Sequence, residues 1–235
     1  NTTTFYYVAS YNSNTQCMGA RQEVVATINS IPAAPVAENT TLCGPGVATL
    51  TAVPAVNCTC QWFNANNAEI INGVSADSKT LTTGNLSSNT IFYVRSTDPV
   101  TACSSDNTTV QVIIATVPGV PSAPNVSRCG AGTITLTATP GSNADNCHWY
   151  NANSEFLFEG ASYTIDNLEE TTSFICKSYN STTGCESNYT RTVTATINPI
   201  PDMPTVNGNT QICGSGDIQM TGVPGANATV CRWIN

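Results

Sequence analysis

The sequence predicts an all-β protein built from tandem sandwich repeats, and three observations lead to this prediction. Apolar and polar residues alternate in short runs rich in Val, Ile, Thr and Tyr, which is the period of a half-buried strand. Asn, Gly, Pro and Ser separate these runs, and no stretch shows the 3.6-residue period of a helix. The same motifs also recur about every 85 residues, which indicates repeated structural units.

The front half of each repeat is defined by a Cys-Gly pair and a tryptophan. The Cys-Gly pairs recur at spacings of 86 and 84, and they begin at Cys43, Cys129 and Cys213. The tryptophans follow at spacings of 87 and 84, each with a cysteine two residues before it, and they are Trp62, Trp149 and Trp233. Between the two lies an alternating run ending in proline, such as 48–54. We therefore expect a second strand and a tryptophan-bearing third strand in every repeat.

The back half of each repeat is defined by an aromatic strand and a third cysteine. The aromatic runs at 5–8, 91–94 and 174–176 each lead, nine residues later, to a cysteine at 17, 103 or 185. About seven strands fit in each repeat of 80-odd residues. A tryptophan on the third strand, between the alternating strand and the aromatic strand, is the core plan of an immunoglobulin-like (Ig-like) sandwich.

The order of the two half-motifs gives the domain organisation. We expect the C-terminal half of an Ig-like repeat at 1–33, complete repeats at 36–121 and 125–201, and an N-terminal half at 205–235. Proline-rich joins lie between them, and proline at this density favours an extended, semi-rigid connector. The complete repeats differ by about five residues after Gly73 and Gly160, which predicts a tolerant surface loop there. The register indicates a segment of a longer protein.

Composition limits the class of protein further. The net charge is −8, the pI is near 4.3 and only 9% of residues are charged, so no basic face for nucleic acid is expected. Eleven cysteines favour an oxidising compartment and therefore an extracellular, cell-surface protein. The N-terminal residues lack the pattern of a signal peptide, and no apolar run reaches the roughly 18 residues of a membrane span.

The repeated cysteines are the main candidate structural residues. The simplest pairing joins the first and third cysteines within each repeat, Cys43 to Cys103 and Cys129 to Cys185. Each loop of roughly 60 residues would then contribute about 4 kcal/mol. A second candidate pair is Cys147 with Cys176, because their strands should be neighbours. Its counterpart is missing in the preceding repeat, and a pairing at spacing 17–18 stays open.

Neither an enzyme nor a metal protein is predicted. His148 is the single histidine and has no counterpart in the other repeats, and the Ser and Thr hydroxyls have no base beside them. Cysteine pairs such as Cys58 and Cys60 lack a second ligand pair at zinc spacing. We therefore expect no catalytic residue, no cofactor and no metal site.

One loop is a candidate glycan contact. Tyr11-Asn12-Ser13 and Tyr179-Asn180-Ser181 match across two repeats, before the third cysteine. Exposed aromatic rings beside amides can stack on sugars, whereas a turn with a packed tyrosine is the structural alternative. The third copy, Thr97-Asp98-Pro99, lacks the tyrosine.

The combined pattern resembles a known repeat family over the whole chain. It runs from Cys-Gly through Leu-Thr-Ala and Trp-Tyr/Phe-Asn-Ala (62–65 and 149–152) to Phe-Tyr-Val, Gly/Ala-Cys-x-Ser (102–105 and 184–187) and Val-x-Ala-Thr-Ile. This is similar to the Ig-like repeats of very large Bacteroidota surface proteins. These include gliding-motility adhesins of the SprB kind, and the resemblance implies export by the type 9 secretion system. The extra Cys58 and Cys176 depart from the pattern.

These observations predict a structural segment of a long extracellular adhesin or filament that mediates or projects surface attachment. The expected partners are neighbouring repeats of the same chain and surface polysaccharide or another substratum. The alternative is an accessory polysaccharide-binding module of a secreted enzyme.

Overall fold

The computed structural model describes residues 3–207, 211 and 213–234, in two compact units that divide between Thr116 and Val117. These residues form strands, turns and irregular connections, and no helix occurs among them. In the described part of the chain, therefore, no helix is long and apolar enough to cross a membrane. The expected half repeats at 1–33 and 205–235 lie partly outside the described residues.

The first unit consists of a hairpin and a β-sandwich. The hairpin pairs β1 (Thr4–Asn12) with β2 (Cys17–Ala26). Eight strands follow in the sandwich: β3 (Val36–Ala37), β4 (Thr40–Cys43), β5 (Gly46–Val53), β6 (Thr59–Asn64), β7 (Glu69–Ile70), β8 (Thr80–Leu86), β9 (Thr90–Thr97) and β10 (Thr108–Ala115). One sheet has the order β4-β10-β9-β6-β7 and the other the order β3-β5-β8. Strand β4 runs parallel to β10.

The second unit repeats this plan and ends in a short hairpin. Its strands are β11 (Val126–Cys129), β12 (Gly132–Thr137), β13 (Asn146–Tyr150), β14 (Phe156–Glu159), β15 (Ser162–Leu168), β16 (Thr172–Asn180), β17 (Cys185–Glu186), β18 (Arg191–Asn198), β19 (Thr205–Asn207) and β20 (Thr221–Val223). One sheet has the order β11-β18-β16-β13-β14, with β17 on β16, and the other pairs β12 with β15. Strand β11 runs parallel to β18. The predicted tandem Ig-like sandwiches are confirmed.

Alternation along the second strand of each sandwich builds the core. In β5, Ala48, Leu50 and Ala52 are buried while the intervening threonines face solvent. Strand β12 repeats the pattern, with Leu136 fully buried. Successive side chains of a strand point to opposite faces, so one face of each sheet supplies the core. Each core closes around its tryptophan, Trp62 or Trp149, at 1% and 0% exposure.

The length difference between the two repeats lies next to the core tryptophan. In the second repeat the Trp149 indole donates a hydrogen bond to the carbonyl of Gly160, 2.9 Å away. In the first repeat the Trp62 indole donates to the carbonyl of Ser78, 3.0 Å away. Ser78 lies 16 positions after its tryptophan and Gly160 lies 11 after, so the five extra residues move the acceptor role to Ser78. The loop that the sequence predicts to be a tolerant surface loop therefore also accepts the hydrogen bond of the buried indole N–H group.

The glycine of each Cys-Gly pair is required by the turn between the first and second strands. Gly44 and Gly130 have φ angles of 84° and 68°, a region that residues with a Cβ rarely adopt. Their amides donate to the last residues of the final strands: Gly44 to the carbonyl of Ala115 at 2.9 Å and Gly130 to that of Asn198 at 2.8 Å. The Cys-Gly turn therefore holds the point at which the chain leaves each sandwich.

The within-repeat disulfides predicted between the first and third cysteines are wrong in this structure. Cys43 and Cys185 are each disulfide-bonded, whereas Cys103 and Cys129 have free thiols. The physical reason is distance. Cys43 lies level with Ala115 at one end of the first sandwich, and Cys103 lies beside the opposite end of β9. About ten or eleven residue rises of roughly 3.3 Å, or about 35 Å, separate those levels. A disulfide needs a Cα separation of about 4.4–6.8 Å.

The same geometry applies in the second sandwich. Cys129 lies level with Asn198, while Cys185 pairs with Asn180 at the far end of β16. The sequence shows that the first and third cysteines belong to one repeat, but their levels along the strands depend on the parallel pairing of the first and last strands. No sequence motif fixed that pairing.

Candidate functional site

The candidate functional site is the end at which the chain enters a sandwich, which we call the entry end. In the second repeat it contains the loop at 140–142 and the segment 178–187. Gly119 of the preceding linker donates to the carbonyl of Ser142 at 2.8 Å. The close approach requires a glycine at 141, because a Cβ there would lie 2.6 Å from the carbonyl oxygen of Val120. The linker is thus held against the repeat that follows it.

A chain of buried hydroxyl groups supports this loop. The Gly141 amide donates to the Ser178 hydroxyl at 2.9 Å, and the Ser178 amide donates to the Ser187 hydroxyl at 3.1 Å. Ser178 and Ser187 are 0% and 2% exposed. Because buried polar groups need partners, this chain explains the Cys-x-Ser motif around Cys185. The first repeat has the same arrangement. The Ala55 amide donates to the Ser96 hydroxyl, and the Ser96 amide donates to the Ser105 hydroxyl.

The opposite end of each sandwich, which we call the exit end, carries the Cys-Gly turn and the last strand. The first and third cysteines are divided between the two ends. Cys43 and Cys129 lie at exit ends, and Cys103 and Cys185 lie at entry ends.

The predicted neighbours Cys147 and Cys176 do meet, but as thiols. Both are fully buried, and each affects the pKa of the other. The interaction with Cys176 lowers the pKa of Cys147, and the same interaction raises the pKa of Cys176, where burial adds to the rise. Trp149 is the residue opposite Cys176, and Ser178 is opposite Cys147, so the cysteines are diagonal neighbours. Diagonal separations of about 7–8 Å exceed the usual disulfide range, and both thiols are free.

The proposed glycan-contact loop makes turn contacts. Asn180 accepts hydrogen bonds from the amides of Thr182 and Thr183 at 3.1 and 2.9 Å. Asn12 accepts the corresponding two bonds in the hairpin, and Asp98 does so in the first sandwich. An Asn or Asp side chain at this place closes the turn, which is why Asp98 replaces the amide without loss of geometry.

The two tyrosines of this motif have different surroundings. Tyr179 is half-buried and stacks on His148, with ring centroids 3.8 Å apart. Tyr11 lies on the hairpin and is 59% exposed. Sugar binding at these residues stays a prediction.

A charged cluster that sequence reasoning missed covers the outer face of the second repeat. Glu186 accepts hydrogen bonds from the Tyr150 hydroxyl and from Lys177 at 2.9 Å, and its carboxylate lies 2.6 Å from His148 Nδ1. Desolvation opposes ionisation of Glu186, but these hydrogen bonds outweigh it and lower the pKa of the carboxyl group. Burial, together with the same carboxylate, raises the pKa of Tyr150. Both oxygens of Glu186 are already engaged, so the cluster fastens β17 to the sheet.

The first repeat has a version of this cluster without a carboxylate. Gln61 occupies the place of His148 and accepts hydrogen bonds from Arg95 at 3.0 Å and from Thr97 at 2.9 Å. Ser104 occupies the place of Glu186 and lies 2.9 Å from the Thr97 hydroxyl. The cluster therefore occupies the same place in both repeats, although the types of its residues differ. Comparing the outward-facing positions on matching strands of the two repeats could have identified it from the sequence.

These contacts define a class of protein: tandem Ig-like sandwich modules whose repeated residues pack cores, close turns and hold linkers. Residues 32–115 and 118–199 match the family described as the CHU_C-associated Ig-like domain, and the chain belongs to this family. The domain is found in Bacteroidota surface proteins and is typical of extracellular ones. Domains of this kind are typically non-catalytic.

Solved structures are similar in fold. The fibronectin(III)-like modules of Clostridium thermocellum CbhA share 14% identity with 74% of this chain, over 94% of their own, at a TM-score of 0.51. The chicken CNTN1 FN1–FN3 domains share 11% identity over 82% of this chain and 77% of theirs, at a TM-score of 0.42. No curated protein matches the sequence. The CbhA likeness shows a shared fold.

Proposed function

We propose that this chain is a load-carrying segment of a long extracellular adhesin or filament, and that it projects or mediates surface attachment. The proposal includes export by type 9 secretion and a part in gliding motility, as in SprB-like adhesins. One observation carries the mechanical side of it. The linker after the second repeat is hydrogen-bonded at both ends, from Gly130 to Asn198 and from Asp202 to Ala226 at 2.9 Å.

Linkers that are hydrogen-bonded to the repeats beside them are expected in an extended stalk. Asp202 occupies the place of Gly119, and the carbonyl of Ala226 occupies the place of the Ser142 carbonyl, so both linkers of the second unit attach by the same contact. Proline on both sides of the contact limits the backbone further. A short linker that is fixed at both ends transmits force between repeats instead of acting as a flexible coil.

Surface labelling tests the proposal. Antibodies raised against the 235-residue chain should label intact cells of the source organism, and limited proteolysis of those cells should remove the label. Under reduction, the labelled polypeptide should run at hundreds of kilodaltons. An antibody against a cytoplasmic protein is the control for cell integrity. Label that needs permeabilised cells, or a band of moderate size in the medium, contradicts the proposal.

The second candidate function is polysaccharide binding by an accessory module. It is favoured by two rings on the same sheet that both contact His148: Tyr179 stacks on it, and Phe156, which is 55% exposed, meets it edge-on. Beads coated with the chain should then bind polysaccharide-coated glass, and Tyr179→Ala should abolish binding. Tyr189→Ala, at a 77% exposed tyrosine outside this cluster, is the matched control. Equal binding by both variants argues against this second function.

A further inference from the structure

One edge of the second sandwich is apolar and exposed to solvent. Strand β14 lies at the end of its sheet, and within the described part of the chain only β13 pairs with it. All of its residues are exposed, including three large apolar ones: Phe156 at 55%, Leu157 at 36% and Phe158 at 40%. We call these three residues the edge surface. Unpaired strand edges are usually short, charged or covered, because they can pair with another chain.

A β-bulge spreads the three side chains around the edge. Phe156 and Phe158 pair with consecutive residues of β13, so Leu157 is the extra residue of the bulge. The Phe156 ring lies on the outer face of the sheet, with its centroid 5.8 Å from that of Tyr150. The Phe158 ring stacks on Tyr163 of the other sheet, with centroids 5.4 Å apart. The apolar surface therefore continues from the outer face of one sheet around its edge to the other sheet.

The fold does not require this surface, because the first repeat lacks it. The matching edge strand of the first repeat, β7, consists of Glu69 and Ile70. Glu69 occupies the place of Phe156, since the two residues pair with matching positions of the tryptophan strand. Both repeats nevertheless form a buried core around their tryptophan. The edge surface is therefore specific to the second repeat and is available for a role other than folding.

The edge of the sheet is fixed in position by hydrogen bonds. The Asn151 amide donates to the carbonyl of Glu155 at 3.0 Å, which closes the turn before β14. The Gly160 amide donates to the carbonyl of Cys147 at 2.8 Å, which fixes the end of the strand. The Trp149 indole donates to the Gly160 carbonyl from the core side. A surface that is already ordered loses less conformational entropy when a partner binds.

Carboxylates lie at both ends of the edge surface. Glu155 comes directly before β14, and Glu159 is the last residue of the strand. Glu155 accepts a hydrogen bond from the Asn151 side chain, and Glu159 accepts one from Asn146 and lies 3.4 Å from His148 Nε2. Among the described residues, no lysine or arginine forms an ion pair with either carboxylate. The edge surface therefore favours a partner with positive charges on both sides of an apolar segment.

A second copy of this chain does not fit the edge surface. The sequence of 155–159 is Glu-Phe-Leu-Phe-Glu, which reads the same in both directions. Pairing two copies in register therefore puts glutamate opposite glutamate at both ends, whether the strands run parallel or antiparallel. Like charges directly opposite each other destabilise a pair of strands. The net charge of −8 on each chain adds to the repulsion between copies.

We propose that the edge surface binds an extended peptide segment of another protein, in which apolar residues are flanked by lysine or arginine. The apolar residues cover Phe156 and Leu157, and the flanking cations lie near Glu155 and Glu159. Backbone groups on the outer side of β14 hydrogen-bond to the segment, as in recognition by strand addition. The bulge limits this pairing to a short stretch. The binding site does not depend on the proposed adhesin role.

Fluorescence anisotropy with short labelled peptides tests the proposal on the full 235-residue chain. The first peptide has a run of valines with lysines on both sides. In the second peptide glutamates replace the lysines, and in the third serines replace the valines. We expect only the first peptide to bind, because it alone has both the apolar run and the positive charges. Its affinity should fall as salt is added, since salt screens exposed charges.

Phe156→Glu is the main variant for this test. The first repeat carries a glutamate naturally at the matching position, Glu69, so the sandwich should still fold. The variant should weaken binding of the first peptide at least about tenfold. Glu159→Gln, which removes one charge with little change in size, should lower the affinity and its salt dependence. Ile71→Glu is the matched control, because it changes an exposed apolar residue of the first repeat and should leave binding unchanged.

Four results overturn the proposal. They are failure of the first peptide to bind, equal binding of the peptide that carries glutamates, unchanged binding by Phe156→Glu, and unchanged binding by Glu159→Gln at low salt. Sedimentation velocity provides an independent measurement, in which the unmodified chain should remain a monomer. Self-association that Phe156→Glu abolishes would assign the edge surface to a second copy and would also overturn the proposal.

Discussion

Attachment of the linker to the second repeat predicts a specific effect of Gly141→Ala. A Cβ at this position would overlap the Gly119 carbonyl and lie 2.6 Å from the carbonyl oxygen of Val120. Both obstacles are backbone atoms, so the linker must move and the bond from Gly119 to Ser142 is lost. A lost hydrogen bond costs about 0.5–1.5 kcal/mol. With the displaced packing, we expect about 1–2 kcal/mol less stability for the second repeat.

Urea unfolding and amide exchange measure this effect on the full chain. At an m-value of about 1 kcal/mol/M, the midpoint of the second repeat should fall by roughly 1–2 M. The Gly119 amide should lose its protection from exchange, while Leu136 in the core keeps its own. Alanine occurs naturally at the equivalent position 55, so the sandwich itself should still fold.

Gly84→Ala is the matched control, because a Cβ at this exposed strand position meets no atom within 4 Å. It should leave the stability of the first repeat within about 0.5 kcal/mol of the unmodified value. If Gly141→Ala leaves both the midpoint and Gly119 protection unchanged, the linker is not held as described.

Three further predictions concern the second repeat. Leu136→Ala removes a fully buried side chain and should cost about 3–5 kcal/mol in urea unfolding, and a cost below about 1 kcal/mol would refute the core assignment. Cys176→Val should cost less than about 1.5 kcal/mol, because Val94 fills the matching place opposite Trp62; a much larger loss would show that the thiol pair is essential. The lowered pKa of Glu186 means that its contribution to stability is present above pH 4.5 and is lost as pH falls through the folded-state pKa. Glu186→Gln should therefore flatten the pH dependence of unfolding below pH 4.5, and an unchanged profile would contradict this.

The sequence predicted the fold because its signals are local and repeated. Alternation at 48–52 fixed which residues of β5 face the core, and each Trp marked the third strand. The strand number of about seven per repeat was too low because β7, at Glu69–Ile70, and β17, at Cys185–Glu186, are too short to show a period. The sequence shows the Cys-Gly and Cys-x-Ser motifs but not what they do. The first forms the turn between the first two strands, and the serine of the second supplies a buried hydroxyl group.

The predictions that failed depend on long-range pairing. The parallel alignment of β4 with β10 sets the level of Cys43, and no local pattern encodes that alignment. The cluster around Glu186 likewise joins β13, β16 and β17, which are well separated in the sequence. No repeated motif marks the cluster, because each of its residues differs in type between the repeats. The sequence predicts a tolerant loop at the five-residue insertion, whereas the structure uses this insertion to accept the hydrogen bond from Trp62 at Ser78.

The central claim is that the chain is a tandem array of separate Ig-like sandwiches, and stretching a single molecule between its termini in the presence of reductant tests it most directly. Each complete sandwich should unfold in an event of its own, which releases roughly 270 Å for Val36–Ala115 and roughly 250 Å for Val126–Asn198, at about 3.4 Å per residue. Leu136→Ala should lower the force of one event and leave the other unchanged. A single event, or extension without resolved events, would contradict the account.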